Sequence, residues 1–292
     1  MKKVIVIAGP TGSGKTALSL AIAKHYGLEV INGDSVQIYK ELNIGSAKIK
    51  EDEMQGIKHH LFDIKSITEE FSVSDYQKLV RAKINDFSLP LIVGGTGFYI
   101  RAVLYDYEFK GGERELDLSF QNLTNEELYQ LLMLKDPKAC EKIHPNNRVR
   151  VLRALTLAKS EKSRSERNDA NKLLYEPLII YLDIKREKLY QLTDNRVEKM
   201  IENGLVSEAE NLWRRNYPLI PIGYRELIPF FEGEINLDFA KEEIKKNTRH
   251  FIKRQNTFFN NQFELTKITV DPDNFSNAIE QAKAAIDRFL EA

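Results

Sequence analysis

The amino-acid sequence predicts an α/β protein, a parallel sheet with helices on both faces and a small helical insertion. Three observations predict it. Continuous apolar runs of strand length, at 4–8, 89–93 and 178–183, alternate with segments of helical periodicity, the pattern of strands buried on both faces. The first run ends in a glycine-rich turn that leads straight into a helical pattern. Between Tyr105 and Glu127 seven acids stand against Lys110 and Arg114 alone, and the periodicity becomes helical.

In chain order, Val4–Ala8 reads as a first strand, Lys15–Tyr26 as a helix and Leu28–Ile31 as a second strand. A helix follows over Ser74–Phe87 with Ser74 as its cap, then a strand over Leu89–Val93 closed by Gly94-Gly95. The insertion is expected over 105–139, dividing a core of 1–104 and 140–292, with helical pattern from Thr124 to Leu134 and through Pro137–Ile143. Val149–Lys159 continues as helix, and the polar stretch Ser160–Lys172 reads as an exposed, mobile loop. Leu178–Asp183 restores the sheet; helices follow near 187–203, 206–215 and 239–259, then a strand at 265–270 and a last helix at 275–290. No internal repeat is visible.

Composition narrows the function. With 43 basic and 43 acidic residues the formal net charge is zero, so any nucleic-acid partner must be held by local basic patches. The single cysteine, Cys140, excludes a disulfide framework and fits a packed side chain in a reducing, cytoplasmic protein. The apolar run after Met1 stops at Gly9, too short for an export signal, and no run approaches the ~20 residues of a membrane span.

Gly9-Pro10-Thr11-Gly12-Ser13-Gly14-Lys15-Thr16 fits G-x-x-x-x-G-K-[ST] between a strand and a helix, the setting in which backbone N–H groups converge on phosphate oxygens. The core is therefore expected to be P-loop NTPase-like. Lys15 would add a mobile positive charge and the Thr16 hydroxyl would suit Mg²⁺. The motif says that a di- or triphosphate binds, not which one. An acid to accompany it could be Asp183, ending the third apolar run, or Asp34 after the second strand.

Further blocks carry a resemblance. Asp34-Ser35-Val36-Gln37-Ile38-Tyr39, Asn43-Ile44-Gly45-Ser46-Ala47-Lys48, His59-His60-Leu61-Phe62-Asp63-Ile64, Ser72-Val73-Ser74-Asp75-Tyr76 and Gly94-Gly95-Thr96-Gly97-Phe98-Tyr99 follow one another in order. Later come His144-Pro145-Asn146-Asn147, Arg150 to Leu155, Ile222-Gly223-Tyr224-Arg225-Glu226 and Thr248 to Gln255. Together with the P-loop they resemble the tRNA dimethylallyltransferases, the IPP transferase family, over most of the chain.

The resemblance implies transfer of a dimethylallyl group from dimethylallyl diphosphate to the exocyclic N6 amine of the adenosine immediately 3′ of the anticodon, releasing diphosphate. Gly9 to Thr16 would then hold an allylic diphosphate, with Mg²⁺ at Thr16 and Thr11 near the breaking bond. Asp34 would be the general base that takes the amine proton, though an acid there equally suits a turn or a Mg²⁺ ligand. Arg225 is carried over with Asp34 and Thr11 as catalytic. Contact with the anticodon stem-loop is implied for Asp34, Ser35, Val36, Gln37, Thr96, Arg150, Arg153, Gly223, Tyr224, Arg225, Arg249, Lys253, Arg254 and Gln255, and for the insertion.

Thr96 and Arg225 also admit plainer readings, a helix cap and a surface ion pair. The stretch 241–260 interleaves six Lys/Arg with Phe251, Phe258 and Phe259, a mixture that suits phosphates and stacked bases but also an ordinary amphipathic helix. Lys142–Arg167 holds eight Lys/Arg against Glu161 and Glu166.

The chain departs from the family pattern in places. The insertion lacks the usual arginine after a proline–acid pair, Arg114 being the nearest candidate; Ile252, Phe258 and Asn260 stand where alanine, tryptophan and arginine are usual. Cys140 alone cannot build the zinc finger that eukaryotic relatives append. Three rivals remain: an adenylate isopentenyltransferase acting on free adenine nucleotides, a P-loop phosphotransferase using Asp183 for Mg²⁺, and a noncatalytic RNA-binding protein. The expected enzyme is Mg²⁺-dependent, cytoplasmic and monomeric, with no membrane or obligate protein partner.

Overall fold

In a computed structural model the chain forms two compact units, Met1–Tyr105 with Leu173–Ala292, and Asp106–Lys172. The structure describes residues 1–107, 109, 118–120, 122–158 and 172–292. Arg114, and all of the expected loop 160–172 except Lys172, lie outside these residues.

The first unit is built on a six-stranded parallel sheet in the order β3-β2-β4-β1-β5-β6. Its strands are β1 (Lys3–Ala8), β2 (Val30–Asn32), β3 (His59–His60), β4 (Leu91–Gly94), β5 (Glu176–Asp183) and β6 (Thr266–Thr269). β1 lies between β4 and β5, with Ile7 beside both Val93 and Ile180. That central place is why Val4 to Ala8 is an unbroken apolar run, since both of its faces are buried. Alternate side chains go to opposite layers. Val4 and Val6 join α2 (Val73–Asp86) and α3 (Gly97–Leu104) through Tyr76, Val80, Tyr99 and Ile100. Ile5 and Ile7 pack with α1 (Lys15–Tyr26) and α11 (Phe275–Glu291) through Leu18, Ile22, Ala282 and Ile286.

The cap of α2 lies two residues earlier than its sequence suggests. The cap is Ser72, not Ser74: its hydroxyl accepts from Asp75 N–H while the Asp75 carboxylate accepts from Ser72 N–H, a reciprocal box that Ser74 cannot close from inside the helix. β3 escaped prediction because two residues carry no usable alternation. A third cluster gathers α7 (Arg186–Glu202), α8 (Leu205–Arg214), α9 (Ile228–Phe231) and α10 (Leu237–Gln262) around Leu42, Leu205, Leu212 and Tyr224.

The second unit is helical, with α4 (Asn125–Lys135), α5 (Pro137–Cys140) and α6 (Arg148–Ala158). Thr124 and Glu127 cap α4 reciprocally. The unit runs to Lys172, beyond the expected limit of 139, because Val151, Leu152 and Leu155 of α6 pack with Leu128 and Leu132 of α4. Cys140 is half-buried among them, as expected of a packed side chain, and burial raises its thiol pKa. Among the described residues no helix is long and apolar enough to cross a membrane.

Candidate active site

The turn after β1 and the turn after β2 open at the carboxyl ends of the parallel strands on either side of β4, where open α/β sheets bind ligands. One cleft of about 290 Å³ lies there, with Thr11 to Thr16, Asp34, Gln37, Arg196 and Gln255 in its wall. It also reaches apolar side chains, Ile49 and Phe62 among them.

The first wall is Gly9 to Thr16. Gly9, Gly12 and Gly14 take φ of 155°, 79° and 90°, conformations that a side chain would oppose and that turn the loop into the N-terminus of α1. Ser13 Oγ is buried there with no hydrogen-bond partner among the described residues, an orphan that a phosphate oxygen would satisfy. The Lys15 ammonium curls over the loop, donating to the Gly9 and Pro10 carbonyls at 3.0 and 2.8 Å. Desolvation lowers its pKa to about 8; Asp34 opposes that shift and Arg196 adds to it. The Thr16 hydroxyl residue is exposed on the cleft.

The second wall is the turn from Asp34 to Gln37. Asp34 Oδ1 accepts from Val36 N–H at 2.8 Å, and Asn32 Oδ1 accepts from Asp34 N–H at 2.9 Å. Asp34 is therefore a turn-former with one oxygen, while Oδ2 takes no hydrogen bond among the described residues. Thr96 sits at the start of α3 but its side chain does not cap it. Its hydroxyl instead accepts from Ser35 N–H at 3.0 Å and donates to Ser35 Oγ at 3.2 Å, tying two cleft loops together. The loops touch through backbone as well: a Cβ on Gly94 would lie 2.1 Å from Gly33. Gln37 lines the cleft and donates to the Ser46 and Ala47 carbonyls.

Arg196, on α7, escaped sequence reading. It lines the cleft, where desolvation lowers its pKa and Asp34 raises it, so it stands within electrostatic reach of that carboxylate. Lys15 and Arg196 give the cleft two cations beside the loop of N–H donors, with Asp34 facing both. The donor set suits a dianionic phosphate group, and one carboxylate oxygen remains able to accept a proton.

Three further residues singled out in the sequence are engaged within the protein. Arg225 is outside the cleft's lining and donates to Glu226 Oε1 at 2.8 Å, a half-exposed guanidinium paired with a buried carboxylate. Tyr224 is fully buried, its hydroxyl donating to Glu208 at 2.6 Å and accepting from Gly45 N–H, so it supports the fold and presents no face to RNA. Gln255 is 6% exposed and both ends of its amide are engaged inside the protein. Gly223 donates its N–H to Glu226 Oε2, and Arg249 pairs with Asp194 at 2.8 Å. Lys253 and Arg254 are exposed on α10, as Arg150 and Arg153 are on α6. Asp183, the carboxylate that a phosphotransferase would use, is exposed and not part of the cleft wall.

The segment from Asn43 to Lys48 is held from a distance. Glu208 on α8 accepts from the N–H groups of Asn43, Ile44 and Gly45, while Lys48 bonds the Tyr39 carbonyl and Asp63. His59 lines the cleft beside Phe62, its pKa lowered by burial, with one ring nitrogen bonded to the Ile57 carbonyl.

Comparison with known proteins gives concordant results. A family model described as IPP transferase matches residues 37–262. A tRNA dimethylallyltransferase of Geobacillus thermodenitrificans is 42% identical over 302 residues, covering 96% of this chain and 95% of the relative. That of Bacillus subtilis is 42% identical, covering 92% and 91%. The solved tRNA isopentenylpyrophosphate transferase of Staphylococcus epidermidis superposes with a TM-score of 0.74 at 34% identity over 99% of both chains. A eukaryotic dimethylallyltransferase described as acting on tRNA gives 0.85 at 30% identity, covering all of this chain and 80% of the other.

Proposed function

The chain belongs to the IPP transferase family, and from that premise we propose that it is a tRNA dimethylallyltransferase. It moves a dimethylallyl group from dimethylallyl diphosphate to the N6 amine of the adenosine 3′ of the anticodon. One observation carries the reading: a phosphate cradle with two cations faces a carboxylate with an unused oxygen across a single cleft.

As the allylic C–O bond breaks, its electron pair leaves with the diphosphate. The cradle N–H groups, Lys15 and Arg196 are placed to stabilise that charge. The carbon then bonds to the amine nitrogen, and Asp34 Oδ2 takes the proton that the nitrogen sheds. Because the adenine lone pair is delocalised into its ring, proton removal during attack is what makes this amine competent. Turning the base out of the anticodon loop costs about a few kcal/mol, which contacts from Lys253, Arg254, Arg150 and Arg153 would offset.

Mg²⁺ fits this set. Thr16, exposed on the cleft beside the cradle, would hold it together with the bound diphosphate. Bound there, it would neutralise charge on the leaving group.

The test incubates the protein and Mg²⁺ with dimethylallyl diphosphate and either unmodified tRNA or AMP, ADP and ATP, and finds the prenylated acceptor by mass spectrometry. Prenylated tRNA is expected. Prenylated mononucleotide alone, or ATP consumption without prenyl transfer, would overturn it.

A further inference from the structure

We infer that Gln255 is a positioning residue that holds the donor cradle and the acceptor loop in register, so that the allylic carbon meets the amine before it meets water. The inference rests on the prenyl-transfer reading. Gln255 Oε1 accepts from Thr11 N–H at 3.1 Å, and its Nε2 donates to the Gly95 carbonyl at 2.9 Å. Thr11 belongs to the cradle. Gly95 precedes Thr96, whose hydroxyl holds Ser35 N–H, and Ser35 follows Asp34. One side-chain amide thus bridges the group that binds the diphosphate to the group that positions the base.

The fit between the partners is close. A Cβ on Gly95 would lie 2.4 Å from Gln255 Nε2, and a Cβ on Gly97 would lie 2.3 Å from the Phe258 ring. Gln255 and Phe258 are three residues apart on α10 and share a face, so the helix enters the loop at two points. The bridge needs a group that accepts at one end and donates at the other, which among side chains of this length is the amide. Glutamate would keep the acceptor for Thr11 but set an oxygen against the Gly95 carbonyl. Leucine would keep neither. By taking Thr11 N–H, Gln255 also fixes that residue of the cradle against the Gly95 loop.

Reacting atoms must stand about 3–3.5 Å apart, and small misplacements are costly in rate. Loosening the bridge should therefore slow transfer more than binding and release the allylic centre to water. In that side reaction the C–O bond to diphosphate breaks, water's oxygen bonds to the carbon and a proton is lost, giving dimethylallyl alcohol and diphosphate.

The experiment supplies dimethylallyl diphosphate, Mg²⁺ and unmodified tRNA to the wild type and to Gln255→Leu, Gln255→Glu and Gly95→Ala, whose folding is checked by thermal melting. Diphosphate released and prenyl groups on RNA are counted together. The wild type should give equal amounts. Gln255→Leu should lower kcat for transfer about tenfold or more with both KM values moving about threefold or less, and push the diphosphate-to-prenyl ratio above one. Gly95→Ala, which displaces the same amide from its other side, should repeat the effect, and combining it with Gln255→Leu should add little. Gln255→Glu should also uncouple, and it keeps the test available if the leucine variant does not fold. A ratio of one in folded variants, or a loss confined to KM, would overturn the inference. A wild type that prenylates no tRNA would instead overturn the proposed function.

Discussion

The cradle from Gly9 to Thr16 and the turn from Asp34 to Gln37 face each other across one cleft but are held in opposite ways. The cradle is made by its own backbone, with positive φ at Gly9, Gly12 and Gly14 running into α1. The turn is made by groups sent from elsewhere, the Asn32 amide from its own strand and the Thr96 hydroxyl from the next loop in space. The difference teaches that the cradle's conformation is set mainly from within, with Gln255 its one tie to α10 described above, whereas the acceptor turn depends on a hydroxyl sent from a loop far away in sequence.

Substitutions on each side sharpen that contrast. The largest loss is expected for Asp34→Asn, which keeps an oxygen for Val36 N–H but removes the base; kcat should fall about 10²–10⁴-fold with tRNA affinity nearly unchanged. A collapse of affinity with normal turnover at saturation would make Asp34 a recognition group instead.

Lys15→Met should weaken diphosphate binding about 10- to 100-fold, the range of a hydrogen bond to a charged group. The pH dependence has a definite sign. The folded-state pKa of Lys15 lies near 8 against 10.5 when exposed, so between those values the unfolded chain carries the extra proton and ligand-free stability rises with pH. Diphosphate affinity should fall over the same window as the ammonium is lost. Titration calorimetry and thermal melts across pH 7 to 10 should show both trends in the wild type and neither in Lys15→Met.

Replacing Lys253 and Arg254 together should lower the slope of log K against log salt for tRNA binding by about 1.4, two phosphate contacts at about 0.7 each. An unchanged slope would remove α10's exposed face from the RNA footprint. The smallest effect belongs to Thr96→Val, which deletes one remote tie to the turn and should cost about 1 kcal/mol in transition-state stabilisation, roughly fivefold in kcat/KM. Thr96→Ser should recover most of it, and failure to do so would show that the methyl group rather than the hydroxyl matters.

The same contrast explains what could be read before the structure. The cradle was legible because its chemistry is contiguous, eight residues between a strand and a helix. The sheet was legible in Val4–Ala8, Leu89–Val93 and Leu178–Asp183 because burial on both faces leaves no polar interruption. The places of Arg196 in the cleft and of the Gln255 amide between Thr11 and Gly95 were not, since each sits in a helix whose local sequence is highly charged. A weaker signal was there. Leu189, Thr193 and Val197 form the buried stripe of α7, and Arg196 lies three residues from Thr193 on that stripe. Gln255 lies likewise between buried Ile252 and Phe259 on α10. A polar residue on an apolar stripe marks a group spent inside the protein. Tyr224 and Arg225 show the converse, because motif membership does not say which way a side chain turns.

Glu208 occupies with its own carboxylate a nest of three backbone N–H groups, at Asn43, Ile44 and Gly45, that could otherwise receive an anion from solution. For protein engineering this makes the cleft wall non-modular. A graft of residues 43–48 between relatives carries its conformation only if its internal counterpart on α8, and the Tyr224 hydroxyl that shares it, travel too. Diversification of this wall is thus confined to coordinated exchanges across some 180 residues of chain, a covariation that would be visible between Gly45, Glu208 and Tyr224 once many relatives are aligned.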